Sequence, residues 1–157
     1  MDFKPVIVEE FKVYGLCTEL TTSQSENYQI ITKHWQNFNN ALKSRKLKLG
    51  TSWVKYGITK KIGNKYFYMV AIPSNIEIDG FDVETINTGE YVCFQHVGAM
   101  GLIKSTIYQI YKQIIPSSNF GLNENRTLIH FERYDYRFSW NKPNSAIDIY
   151  VPIERNT

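Results

Sequence analysis

The chain has 157 residues, 43% of them hydrophobic and 21% charged, with a formal net charge of +3. That length and balance fit one compact folded domain and exclude a disordered or low-complexity polymer. No charged-then-apolar leader opens the chain and no apolar run approaches the roughly 20 residues of a membrane helix, so a cytoplasmic location is expected.

Residues 5–20 (PVIVEEFKVYGLCTEL) predict extended structure with a kink or bulge near Glu9 and Glu10. Thr22 and Ser23 ahead of Glu26 mark a helix start. Tyr28, Ile31, Trp35, Phe38 and Leu42 then recur at steps of three and four, which predicts an amphipathic helix to about Lys43, with Gly50 at its exit. Residues 52–60 and 65–73 read as the strands of a hairpin turning at Ile62–Gly63–Asn64. A loop over Ser74–Gly80, a short strand over 81–86 and a turn at Asn87–Gly89 follow. The basic residues between Lys43 and Lys65 accompany no nucleic-acid docking motif. They read as solvated charges, and no direct nucleic-acid binding is expected.

The pattern then restarts. Residues 90–97 read as a strand, Gly98–Gly101 as a break, and Leu102–Ile115 as a second amphipathic helix stopped by Pro116. Residues 127–138 and 146–153 read as strands. Strand–helix–hairpin thus occurs twice, at an offset of about half the chain. The fold class is α+β: duplicated units with pseudo-repeats at about 1–86 and 87–157 in a single domain, antiparallel sheets forming a concave cleft, and two amphipathic helices. The junction of two such halves is a favoured place for a small-molecule pocket.

Aromatic residues make up 15% of the chain, as 11 Tyr, 9 Phe and 3 Trp. A core of this size does not need so many rings, and tyrosine combines an apolar face with a polar tip that suits a binding surface. Cys17 and Cys93 lack zinc-site spacing, so no metal or other cofactor is implied and the thiols are expected to be reduced. No GxSxG or other nucleophile motif points to a triad hydrolase.

Glu132 stands in the aromatic run Leu128–Phe138. Such a carboxylate is either a surface acid bridged to Arg133, Arg137 or a lysine, or the charged floor of a ligand pocket. In a regular strand Glu132, Tyr134 and Tyr136 share one face, with Phe131, Arg133 and Asp135 on the other. In the last strand the apolar set Ile147, Ile149 and Val151 is expected in the core, leaving Tyr150 toward the cleft. Tyr56 and Tyr68 are its counterparts in the first hairpin. Trp35 serves either core or pocket, Trp140 in a polar loop is a candidate lid, and His96 reads as an ordinary strand histidine.

The order Phe11-Lys12-Val13-Tyr14-Gly15, Trp35, Tyr56-Gly57, Gly89-Glu90-Tyr91, Phe94, His96, Gly98, Phe131-Glu132, Tyr134-Asp135-Tyr136-Arg137-Phe138 and Asp148–Ile153 resembles the gyrase-inhibitor-like (GyrI-like) family over nearly the whole chain. This family includes the effector-binding domains of AraC- and MerR-type multidrug regulators. The resemblance implies tandem strand–helix–three-strand units whose cleft binds lipophilic, often cationic aromatic compounds, with Glu132 as the charged pocket residue. The ligand-binding set it suggests is Glu132, Trp35, Tyr56, Tyr68, Tyr134, Trp140 and Tyr150. The first strand begins almost at Met1, so a stand-alone binder is expected rather than a regulator. Two alternatives follow from relatives of the same fold. One is a hydrolase of cyclopropane-containing genotoxins using Glu132; the other is a protein inhibitor that contacts gyrase.

Overall fold

The computed structural model describes residues 1–122 and 126–155. Its strands are β1 (Phe3–Val8), β2 (Phe11–Glu19), β3 (Lys55–Ile62), β4 (Lys65–Pro73), β5 (Asp82–Ile86), β6 (Gly89–Val97), β7 (Phe120–Gly121), β8 (Leu128–Tyr134), β9 (Ala146–Pro152) and β10 (Glu154–Arg155). Eight of them form one antiparallel sheet in the order β1-β6-β9-β8-β3-β4-β2-β5, and β7 pairs with β10 separately. The fold is α+β, and the half-sheets are fused into one sheet by the β3–β8 pairing.

The sheet has to curl. β1 at one edge and β2 near the other are joined only through Glu9 and Glu10. In a flat sheet six strand spacings would separate them by about 29 Å. The link from Val8 to Phe11 reaches at most about 11 Å. The kink expected at Glu9–Glu10 is therefore a full strand break. It sends β1 to β6, so the N-terminal strand lies beside the second half of the sheet.

The first helix, α1 (Gln24–Ser44), follows its apolar stripe and buries Phe38 and Leu42. The Ser23 side chain caps it by accepting from the backbone N–H of Glu26. The second helical segment is less regular. A 3-10 turn at Met100–Leu102 leads into α2 (Ile103–Gln109) and then a π-helical turn at Ile110–Ile114. Leu102, at the start of the expected helix, is exposed, and Met100 before it is buried.

Strand alternation divides the core between the two faces of the sheet. On the outer, helix-bearing face, Phe38 and Leu42 of α1 pack on Tyr68, Val70 and Ile72. Phe94, Ile110, Ile147, Ile149 and Val151 pack together beneath α2. The inner face of the curl is filled by rings. Phe131 touches Phe11, Tyr56, Tyr91 and Tyr150, with centroids 4.7–6.1 Å apart. Contact between β2 and β8, three strands apart, is possible only because the sheet bends toward this face.

A glutamate floor beneath the helices

β8 carries His130, Glu132 and Tyr134 on the helix-bearing face and Phe131 and Arg133 on the inner face. The arginines are thereby kept away from Glu132. Arg133 pairs with Asp135 at 2.6 Å, and Arg137 bridges Asp135 at 2.9 Å and Asp148 at 2.6 Å. Among the described residues no lysine or arginine nitrogen lies within 4.0 Å of Glu132. The bridged-surface alternative is excluded: Glu132 is only 8% exposed.

Its partners are phenols. Tyr68 donates to Glu132 Oε1 at 2.7 Å and Tyr134 donates to the same oxygen at 3.0 Å. Trp35 Nε1–H donates to the Tyr68 hydroxyl at 3.1 Å, and its ring meets Tyr134 edge-on at 4.8 Å. Among the described residues no donor reaches the other carboxylate oxygen. Burial pushes the Glu132 carboxyl above the ordinary carboxylate range, and the two phenol hydrogen bonds only partly offset that. Burial, reinforced by the neighbouring carboxylate, holds Tyr68 and Tyr134 well above 10, so both remain donors.

Gly57 makes this convergence possible. It sits opposite Glu132 across the β3–β8 pair. A Cβ there would come within 2.1 Å of the Tyr68 hydroxyl oxygen and 2.6 Å of Glu132 Oε1. A glycine inside a strand marks such close approaches.

Above this floor lies a cavity of about 210 Å³ between the sheet, α1 and the turn into α2. Trp35, Tyr68, Glu132, Tyr134 and Trp140 line it. Further walls, which nothing in the sequence singled out as pocket residues, include Trp53 and Lys55 before and in β3, Asn39 and Tyr28 on α1, and Phe138. Lys55 donates to Asn39 Oδ1 at 2.8 Å, with its ammonium 5.4 Å from the centre of the Trp53 ring. Desolvation lowers its pKa.

Tyr56 and Tyr150 do not line this cavity. Both lie on the inner face, where Tyr150 stacks on Phe131 at 4.7 Å and 12° and Tyr56 tilts against Phe11. The expectation placed core and cleft on opposite faces. The helices instead cover the face of Ile147 and Ile149, and the cavity opens on that same face. Tyr150 borders a separate, more polar hollow with Asp148 and Arg137, whose charges are paired. Tyr136 also departs from expectation. β8 ends at Tyr134, and a turn closed by Phe138 N–H on the Asp135 carbonyl leaves Tyr136 77% exposed. The same turn delivers Phe138 onto Tyr134, edge-on at 5.1 Å. Trp140, 40% exposed, stands at the rim.

Behind Glu132 the Tyr111 hydroxyl hydrogen-bonds His130 Nδ1 at 2.8 Å. Tyr111 comes from the π-helical turn, a device often found beside functional sites. Burial lowers the His130 pKa to about 4.

A curled eight-stranded antiparallel sheet with two helical segments over an aromatic cavity defines a small-molecule effector-binding domain of the GyrI-like fold. The family model "Integron-associated effector binding protein" (Cass2) matches residues 6–153, and the chain belongs to that family. Solved structures of similar fold include SAV2435 bound to tetraphenylphosphonium, with a TM-score of 0.78 at 17% identity over 98% of this chain and 94% of that one. The integron cassette protein VCH_CASS2 from the mobile metagenome of Vibrio cholerae gives 0.62 at 16% identity, covering 97% and 95%. The EcmrR C-terminal domain gives 0.64 at 14%, covering 99% and 98%. No curated protein sequence matches the chain.

Proposed function

We propose that this protein binds lipophilic, cationic aromatic molecules in the cavity beneath α1, with Glu132 as the counter-charge. One observation carries the reading: a buried carboxylate whose hydrogen-bond partners are phenols, with the arginines beside it in sequence committed elsewhere. An unpaired buried carboxylate is costly, and a cation that enters relieves the cost. The solved relative with tetraphenylphosphonium adds support, since it holds an aromatic cation within a similar fold.

The size of the cavity bounds the ligand. A cavity of about 150 Å³ takes benzene, so about 210 Å³ holds one ring system with substituents. Larger cations require Trp140 and Phe138 to swing outward. Burying about 300 Å² of apolar ligand surface is worth on the order of 7 kcal/mol. Lost ligand freedom costs at least about 4 kcal/mol of that. Stacking of a cation on a ring adds roughly 0.5–2 kcal/mol. With the ion pair to Glu132, affinity in the micromolar range is expected.

Fluorescence titration with a cationic rhodamine ester is the test, comparing the wild type with Glu132→Gln. A loss of about tenfold or more supports the reading. Equal affinity in the two proteins overturns the electrostatic part.

Hydrolysis of a strained cyclopropane is the second reading, favoured by a carboxyl with a raised pKa flanked by two hydroxyl donors. In it the Glu132 carboxylate, oriented by the two phenols, takes a proton from water as the oxygen attacks a ring carbon. The ring bond breaks, its electron pair passes to a conjugated substrate oxygen, and Glu132 returns the proton to that oxygen. Incubation with a cyclopropane alkylator followed by mass analysis decides: a product heavier by one water supports it, and intact compound sinks it.

A further inference from the structure

Lys55 is a second charge in the same cavity. On β3 it shares a face with Gly57, since it sits opposite Tyr134 while Gly57 sits opposite Glu132. Its ammonium is held by a neutral amide, Asn39 Oδ1, and by the face of Trp53. Among the described residues no carboxylate lies within 4.0 Å of it. Lys60 and Lys65 of the same hairpin pair with Glu84 and Glu19, each at 3.7 Å, and Lys61 lies over the Tyr66 ring outside the cavity. One amide accepts one of three ammonium protons, so Lys55 keeps donor capacity toward the cavity.

The two charges occupy different register positions of the β3–β8 pair, and each is tethered to α1. Trp35 tethers the Tyr68–Glu132 end and Asn39 tethers the Lys55 end. These helix positions are four residues apart, about 6 Å along the axis. A cavity serving cations alone gains nothing from an unneutralised, half-buried ammonium on its wall, because that ammonium repels the ligand. Two opposite charges in one ring-lined cavity, unbridged to each other, are instead complementary to a ligand bearing both signs.

We infer that the cavity prefers amphoteric aromatic ligands, with a cationic end on Glu132 and a carboxylate or comparable anionic group on Lys55. The inference rests on the cavity being the binding site proposed above, and it narrows the ligand class.

A rhodamine free acid, which carries a carboxylate and a cation, and its ethyl ester, which carries the cation alone, differ in the feature at issue. Fluorescence anisotropy titrations at pH 7.5 would compare the two dyes on the wild type, Lys55→Met, Lys55→Arg and Glu132→Gln. Lys55→Met should weaken the acid at least fivefold and tighten the ester, because the ammonium that repels a cation is gone. Lys55→Arg should keep most of the affinity for the acid. Should Lys55→Met fail to fold, Asn39→Ala removes the tether and should narrow the difference between the dyes. A parallel change in both dyes on Lys55→Met, or no change in either, overturns the inference. If the ester binds in a Glu132-dependent way and the acid ignores Lys55, only this inference fails. If neither dye, nor a one-ring cation such as benzyltrimethylammonium, binds the wild type saturably, the binding reading fails and this inference with it.

Discussion

Gly57 lies directly across the strand pair from Glu132, and the missing side chain is the space through which the Tyr68 phenol reaches the carboxylate. Gly57→Ala puts a methyl group 2.1 Å from the Tyr68 hydroxyl oxygen. The variant is expected to lose about 1–3 kcal/mol of stability from overpacking, read by urea denaturation, together with most of its affinity for a cationic dye. A fully stable variant with unchanged binding would show that the phenol does not need this gap.

Tyr68→Phe takes one of two donors from Glu132 Oε1 and the acceptor from Trp35. The half-buried Trp35 N–H loses its acceptor, and Glu132 keeps only the Tyr134 donor, which together cost about 1–3 kcal/mol. Tyr134→Phe removes one donor and leaves the Trp35–Tyr68 bond in place, so it should be the milder change. Chemical denaturation of the two variants side by side tests that order.

Glu132 should make the empty protein more stable as pH falls. Its folded-state carboxyl titrates above the ordinary value of 4.5. The protonated form therefore favours folding, in full below about pH 4.5, and this contribution is lost as pH rises through the raised folded value. Cation binding runs the other way, because it needs the carboxylate, so affinity should fall as pH drops through the same region. Glu132→Gln is expected to melt at pH 7 no lower than the wild type and to lose the pH dependence of cation affinity. Thermal melts and dye titrations across pH 4–8 would show both.

His130 acts oppositely. Its folded-state value, depressed from 6.5 to about 4 by burial, means that the stability of the neutral ring is complete above pH 6.5 and is lost as pH falls toward 4. The shift corresponds to about 3 kcal/mol. His130→Gln should flatten the acid limb of stability. Glu132→Gln should steepen it, because the opposing carboxyl is gone. Urea midpoints at pH 4, 5, 6 and 7 for both variants provide the comparison.

Tyr150→Phe is the control. Tyr150 lies on the inner face, against Phe131, so dye affinity should stay within about twofold of wild type, whereas Trp140→Ala at the cavity rim should weaken binding. Greater sensitivity at Tyr150 than at Trp140 would place the site on the wrong face of the sheet.

Local chemistry made much of this protein readable from its residues alone. The 3,4 spacing from Tyr28 to Leu42 specified α1 because side chains three and four apart share a helix face whatever surrounds them. The hairpin of β3 and β4, the turn glycines and the anomaly of an acid at Glu132 among rings were equally legible. The partners of that acid were not, because they arrive by cross-strand register and helix placement. Gly57 and Lys55 face Glu132 and Tyr134 only once β3 pairs with β8, from positions more than 70 residues away in the chain. Which tyrosines enter the cavity depended on the face the helices cover. Alternation along a strand tells which residues share a side, but only packing decides which side becomes the binding site.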